Sequence, residues 1–146
     1  MNQSGSSKKY IILAEDDEDD RLIFKEAVNE LSSPFEIRIA EDGFELLNFL
    51  EKPNIELPHL VLLDLNMPLI NGFECLETMK KDERLRHIPV IIYSTSGNTE
   101  DIEKAYSLGA NYYLSKPESY AQLKEVIQKV LETNWTIAIN QSNKPF

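Results

Sequence analysis

Short apolar runs and amphipathic stretches alternate along the chain. Runs such as YIILA and VIIYS, rich in Ile, Val, Leu and Tyr, are typical of strands buried in a sheet. Between them, apolar residues recur every three or four positions, which predicts helices with one buried face. The predicted strands cover residues 10–14, 35–40, 59–65, 90–94 and 111–115. The predicted helices cover residues 17–31, 43–50, 73–81, 99–108 and 119–134.

Capping residues mark the ends of the last two predicted helices. Thr99 and Ser119 are placed as N-caps, because a hydroxyl oxygen can accept a hydrogen bond from the first helical turn. Gly109 follows the helix of residues 99–108 and is typical of a helix stop. These signals separate each helix from the strand that follows or precedes it.

Strict alternation of strands and helices predicts a parallel sheet with helices on both faces and right-handed crossovers. The first, third and fourth predicted strands are apolar, so we expect them at the centre, with the second and fifth at the edges. This pattern predicts a doubly wound α/β fold with strand order 2-1-3-4-5. In that fold the ligand crevice lies beyond the carboxyl ends of the first and third strands.

Composition narrows the possible functions. The chain has 146 residues, 42% of them hydrophobic, as expected for one globular domain. A formal net charge of −10 argues against nucleic acid as a partner, since such binding needs clustered cations. The one cysteine, Cys75, excludes an internal disulfide. The apolar runs are too short to span a bilayer and the polar start lacks a secretory signal, so we expect a cytoplasmic protein without membrane contact.

Acidic residues follow two of the predicted central strands. Glu15, Asp16 and Asp17 follow the first, and Asp64 closes the apolar run of the third. If these carboxylates converge, they repel one another unless a cation intervenes, and an oxygen-only ligand set favours Mg²⁺ over Ca²⁺ or Zn²⁺. The alternative is a solvated, acidic helix start. That alternative is weaker for Asp64, because an acid at the end of an apolar run is rarely placed for solubility.

The last two strands end in residues suited to phosphate. Ser94 ends the fourth strand with a hydroxyl, and Lys116 follows the fifth with an ammonium group. Taken singly, Ser94 fits a strand-end cap and Lys116 a surface lysine. A cation, a hydroxyl and an ammonium around one carboxylate together indicate a site that handles a phosphoryl group.

Four sequence motifs carry a resemblance to a known family. They are ILAEDD (12–17), LLDLNMPLINGFE (62–74), IPVIIYSTS (88–96) and GANYYLSKP (109–117). From Lys8 to about Asn134 the chain resembles the receiver domain of two-component response regulators, which implies the CheY-like, flavodoxin-like (βα)5 fold. The segments EDDEDDRLIF and DERLRHIPVIIYSTS are most similar to small single-domain regulators paired with phytochrome-type histidine kinases.

The resemblance implies a phosphoacceptor and a metal site. Asp64 would accept the phosphoryl group. Asp16 and Asp64 would bind Mg²⁺ directly, Glu15 would act through water, and Asn66 would offer its backbone carbonyl.

The resemblance also implies a switch. Lys116 would bind the phosphoryl group, and its bond to Pro117 would be cis. Ser94 would donate its hydroxyl to a phosphoryl oxygen. The ring of Tyr113 would then turn from an exposed to a buried position.

These roles predict a signalling module rather than an enzyme. Its only chemistry would be its own phosphorylation, by a sensor histidine kinase or a histidine phosphotransfer protein, and dephosphorylation. We expect a flexible start (1–7), a receiver domain (8–135) and a tail (136–146), without an output domain.

The output would then be a change in protein contacts, including a possible homodimer through the face of the fourth helix, fifth strand and fifth helix. Two alternatives remain. One is a haloacid-dehalogenase-type phosphatase, although DLN stands where that class has D-x-D. The other is a docking adaptor that is never phosphorylated.

Overall fold

The computed structural model describes residues 9–135, which form one parallel sheet with helices on both faces. The predicted flexible start (1–7) and the tail (136–146) lie outside the described residues. Strands and helices alternate as predicted. In chain order the elements are β1 (Tyr10–Ala14), α1 (Glu18–Glu30), β2 (Glu36–Ala40), α2 (Gly43–Leu50), β3 (Val61–Leu63), α3 (Gly72–Lys81), β4 (Val90–Ser94), α4 (Thr99–Ser107), β5 (Tyr112–Ser115) and α5 (Tyr120–Glu132).

The sheet has the predicted strand order β2-β1-β3-β4-β5, and every neighbouring pair is parallel. β3 is shorter than predicted, because the chain turns away soon after Leu63. The turn is closed by the Gly72 N–H, which donates to the Leu65 carbonyl at 3.0 Å. The polar residues that follow β3 are therefore held in a loop at the carboxyl edge of the sheet.

Alternate residues of the central strands pack into two separate core layers. Ile12 and Ala14 of β1 pack in the layer with α2, α3 and α4, whereas Ile11 and Leu13 pack in the layer with α1 and α5. All five residues of β1 are buried. A strand covered on both faces has no polar side, which explains why YIILA reads as a continuous apolar run.

Capping follows the predictions at α5 but differs at α4. Ser119 caps α5 as predicted, since its side chain accepts from the Gln122 N–H. The N-cap of α4 is Asn98 and not Thr99, because Asn98 has the extended backbone of a cap and its side chain accepts from the Asp101 N–H at 2.8 Å. Gly109 ends α4 with a φ of 106°, a conformation that favours glycine.

The bond between Lys116 and Pro117 differs from the expectation. The described residues contain no cis peptide bond, so the expected cis bond between Lys116 and Pro117 is wrong and the bond is trans. Trans is the form that an X–Pro bond favours by about 0.5–1 kcal/mol.

None of the helices within residues 9–135 combines the length and the apolar character that crossing a bilayer requires.

Candidate functional site

The pairing of β1 with β3 brings two acids together at the carboxyl edge of the sheet. Ala14 lies opposite Leu63 in the ladder, so Glu15 and Asp64 are the next residues on adjacent strands. Asp64 continues the pairing, since its N–H donates to the Ala14 carbonyl at 3.0 Å. Backbone pairing alone therefore places the two carboxyl-bearing residues side by side.

Three carboxyl groups converge at this edge. Glu15, Asp16 and Asp64 each offer an oxygen, and these oxygens lie within 4.8 Å of one another. Glu15 and Asp64 are buried, whereas Asp16 is exposed to an open cleft of about 550 Å³. An all-oxygen donor set with one open side suits a hard cation such as Mg²⁺ or Mn²⁺.

Burial makes two negative charges unfavourable here. It raises the pKa of the Glu15 carboxyl to about 7, an effect that the Lys116 hydrogen bond opposes and the neighbouring Asp64 increases. Burial raises the pKa of Asp64 as well. A cation bound among these oxygens would favour their charged forms, so the residues present fit a divalent metal ion.

Lys116 supplies the positive charge of the site. Its Nζ donates to Glu15 Oε1 at 2.6 Å and to Asp20 Oδ2 at 2.8 Å, and it lies 3.9 Å from Asp64 Oδ2. Burial lowers the pKa of this ammonium group, but the hydrogen bonds to Asp20 and Glu15 outweigh burial and raise it overall. Lys116 is therefore charged. It donates its hydrogen bonds to Glu15 and Asp20, and not to Asp64, the predicted phosphoacceptor.

The loop after β3 folds tightly against Asp64. A Cβ atom at Gly72 would collide with the carbonyl oxygen of Asp64, so a residue without a side chain is required at this position. The Asn66 N–H donates to Asp64 Oδ1 at 3.4 Å, and Asn66 also lines the cleft. The loop thus fixes the direction of the Asp64 side chain.

The predicted switch residues lie on the two strands that follow β3 in the sheet, Ser94 at the end of β4 and Tyr113 in β5. Ser94 is fully buried, and its hydroxyl oxygen accepts from the Ser96 N–H at 3.1 Å. Tyr113 is 8% exposed, its hydroxyl donates to the Ser96 carbonyl at 2.7 Å, and its N–H donates to the Tyr106 hydroxyl at 3.1 Å. The expectation that the Tyr113 ring starts exposed is therefore wrong, because these hydrogen bonds hold it inward.

Residues 11–128 match the sequence pattern of the response regulator receiver domain. The chain belongs to this family. Receiver domains are in general signalling modules of two-component systems rather than enzymes.

Several relatives resemble this receiver domain over most of their length. The probable methanogenesis regulatory protein FilR2 of Methanothrix harundinacea is 37% identical over 125 residues, covering 84% of this chain and 81% of the relative. Response regulator Rcp1 of Synechocystis is 32% identical, covering 92% and 94%. The structure of the phosphorylated cyanobacterial phytochrome response regulator RcpA is 36% identical with a TM-score of 0.79, covering 86% and 93%. The Mn²⁺-bound Rcp1 structure is 34% identical with a TM-score of 0.77, covering 86% and 96%.

Asp20 is the contact of the receiver-domain site that the sequence analysis missed. By sequence alone, Asp20 is one of several acids at the start of a helix. The sequence signal for Asp20 is weak, because the position of its side chain depends on the N-cap of α1. The Asp17 side chain accepts the Asp20 N–H at 3.0 Å, and this bond fixes the direction of Asp20, the third residue of α1.

Within the described residues, the face predicted to form a homodimer exposes few large apolar side chains. Tyr113 is buried, so it adds no contact area there. Among the described residues, the large apolar side chains that are exposed are Leu22, Ile23, Phe44, Leu69 and Tyr120. Of these, Tyr120 alone belongs to α4, β5 or α5.

Proposed function

We propose that this receiver domain accepts a phosphoryl group on Asp64 and signals by changing its contacts with other proteins. The observation that carries the proposal is the enclosure of one carboxylate. Asp64 is buried, shares its cleft with Glu15 and Asp16, and lies 3.9 Å from the Lys116 ammonium. A carboxylate with acids on one side and an ammonium on the other suits an incoming phosphoryl anion together with a cation.

Mg²⁺ is the cation in this proposal. Asp16 and Asp64 bind it through carboxylate oxygens, the Asn66 backbone carbonyl adds another oxygen, and Glu15 contributes through water. The convergence of the three carboxyl groups within 4.8 Å supports this assignment. When bound, Mg²⁺ supplies positive charge that neutralises the oxygens of the transferred group.

The chain contributes position and charge to the transfer. An Asp64 carboxylate oxygen forms the bond to phosphorus while the bond from phosphorus to the donor histidine nitrogen breaks, and that nitrogen keeps the electron pair. Lys116 and Ser94 each donate a hydrogen bond to a phosphoryl oxygen. The chain promotes only its own phosphorylation and the hydrolytic loss of that phosphoryl group, so we do not class it as an enzyme.

The switch in this proposal stabilises an arrangement that is already present. Tyr113 is held inward by its hydrogen bond to the Ser96 carbonyl, and the Ser94 hydroxyl lies on the same segment. A phosphoryl group on Asp64 adds about two negative charges and strong acceptor oxygens. Drawing the Ser94 hydroxyl towards one of them shifts the population of two existing states.

The donor is a sensor histidine kinase or a histidine phosphotransfer protein in the cytoplasm. The names of the structural relatives favour a phytochrome-type kinase, since RcpA and the red-light regulator RPA3017 of R. palustris are both similar to this chain. FilR2, which is also similar to this chain, is instead named as a probable methanogenesis regulatory protein. A homodimer through the α4-β5-α5 face stays a prediction, and neither nucleic acid nor a membrane surface is a proposed partner.

The proposal is tested with acetyl phosphate and Mg²⁺. We expect the wild type to gain the mass of one phosphoryl group, and EDTA or Asp64→Asn to prevent the gain. Asp19→Asn is the matched control, since it removes an acid that lines the same cleft but belongs to no assigned ligand set. A persistent adduct in Asp64→Asn would contradict the assignment, and a wild type that never gains the group would favour the docking adaptor.

The donor is tested by phosphotransfer from purified autophosphorylated kinases. Transfer to Asp64 within seconds from a phytochrome-type kinase, with slow transfer from an unrelated sensor kinase, is the expected result. Preferential transfer from a kinase of another class would contradict the phytochrome link and leave the phosphoacceptor assignment intact.

A further inference from the structure

The Lys116 ammonium is divided between two carboxylates that differ in burial. Glu15 Oε1 lies 2.6 Å from Nζ and its side chain is 1% exposed, whereas Asp20 Oδ2 lies 2.8 Å away and its side chain is 36% exposed. The Lys116 side chain is 11% exposed, and Asp64 lies beyond hydrogen-bond distance of its ammonium group. The lysine therefore has two anchors before any phosphoryl group is present.

The helix start holds Asp20 over the cleft. Asp17 caps α1 by accepting the Asp20 N–H, and Arg21 Nη1 donates to the Glu15 carbonyl at 3.1 Å. These bonds tie the first turn of α1 to the end of β1. The Asp20 carboxylate thus approaches Lys116 from a backbone position that is fixed on both sides.

Lys116 would lose its contact with Asp20 at a lower cost in free energy than its contact with Glu15. Glu15 is fully buried, so loss of its ammonium partner would leave a carboxyl group without solvent or an opposite charge. Asp20 is partly exposed, and water can replace the lysine when the pair separates. A new anion beside Asp64 would therefore take the ammonium from Asp20.

We propose that Asp20 is a positioning residue that competes with the phosphoryl group for Lys116 and so weakens the phosphorylated state. The inference rests on the proposed function of Asp64. Without phosphate, Asp20 and Glu15 hold the ammonium. With a phosphoryl group on Asp64, Lys116 keeps Glu15 and exchanges Asp20 for a phosphoryl oxygen. The strength of the Lys116–Asp20 pair then sets how tightly the site holds the group.

The test compares Asp20→Asn with Asp19→Asn at saturating Mg²⁺, using beryllofluoride as the probe. Both variants remove one acid from the same helical turn, but no hydrogen bond or ion pair joins Asp19 to Lys116 among the described contacts. We expect Asp20→Asn to bind beryllofluoride about threefold to tenfold more tightly than Asp19→Asn, the range expected for a partly exposed ion pair. Equal affinities in the two variants would overturn the inference.

A second comparison removes the lysine. We expect the double variant Lys116→Met, Asp20→Asn to bind beryllofluoride as tightly as the single variant Lys116→Met does, because the competition requires the ammonium group. An equal gain with and without Lys116 would show that Asp20 acts by charge alone and would overturn the inference. A wild type that fails to bind beryllofluoride with Mg²⁺ would instead contradict the proposed function itself.

Discussion

Lys116 and Lys80 are both largely enclosed, at opposite edges of the sheet, and their surroundings differ. Lys116 faces carboxylates at the carboxyl edge. At the amino edge, the described hydrogen bonds of Lys80 go to neutral acceptors: the carbonyls of Arg86 and Ile88 and the Asn111 side chain, at 2.9–3.3 Å. Burial lowers the pKa of Lys80 to about 8, whereas the carboxylates raise that of Lys116.

The difference distinguishes a lysine that links elements of the fold from a lysine that lies in the candidate site. Lys80 ties α3 to the segment before β4 and, through Asn111, to the start of β5, and Asn111 Oδ1 also accepts the Val90 N–H at 2.8 Å. The partners of Lys116 are carboxylates, and in the proposed function a phosphoryl group on Asp64 changes the balance of charge around its ammonium group.

The largest expected difference between the two lysines is in beryllofluoride binding after each is replaced by methionine. Lys116→Met is expected to weaken beryllofluoride binding about tenfold to a hundredfold, since hydrogen bonds to charged groups contribute about 1.5–3 kcal/mol. Lys80→Met should leave that affinity unchanged. Isothermal titration with Mg²⁺ present measures both, and equal losses in the two variants would contradict the separation.

The reverse test concerns stability. Lys80→Met is expected to lower the free energy of unfolding by about 1–2 kcal/mol, because the partly buried acceptors on Ile88 and Asn111 lose their donor. Lys81→Met is the matched control, since Lys81 is exposed and pairs only at the surface with Glu77. Urea denaturation gives both values, and a loss in Lys80→Met no larger than in the control would show that Lys80 is not a structural tie.

The smallest expected effect is a pH dependence. Burial holds the pKa of Lys80 at about 8 in the fold, against 10.5 for an ordinary solvated lysine, so around and above pH 8 the unfolded chain binds more protons at this group than the folded chain does. Its contribution to the free energy of unfolding therefore rises with pH. From about pH 7 to about pH 8.5, the wild type should gain less than about 1 kcal/mol over Lys80→Met. Parallel pH profiles would contradict this.

Most of the fold was predictable because its signals are local. The strands β1 and β4 have the predicted bounds, and the convergence of Glu15 and Asp64 followed from parallel pairing alone. The contacts of long side chains were not predictable in this way. Whether Lys116 reaches Asp20 depends on side-chain rotamers and on the angle of α1 to the sheet, which no short-range pattern encodes.

The errors have related causes. Asn98 and Thr99 are both good capping residues, and only the backbone angles distinguish the residue before the first turn from the residue within it. The position of the Tyr113 ring depends on the Ser96 carbonyl, 17 residues earlier in the chain. In both cases, three-dimensional context selects between choices that the sequence allows equally.

The ion pair between Glu15 and Lys116 joins residues 101 positions apart, and this separation has a consequence for protein synthesis. A ribosome that adds about 5–20 residues per second needs roughly 5–20 s to go from the first of these residues to the second. During that interval the emerging chain carries the acids of the site but lacks their ammonium partner. In the proposed function, only a chain that has reached Lys116 carries the ammonium group that binds a phosphoryl oxygen, so we expect nascent and shorter chains to hold that group less firmly than the complete domain.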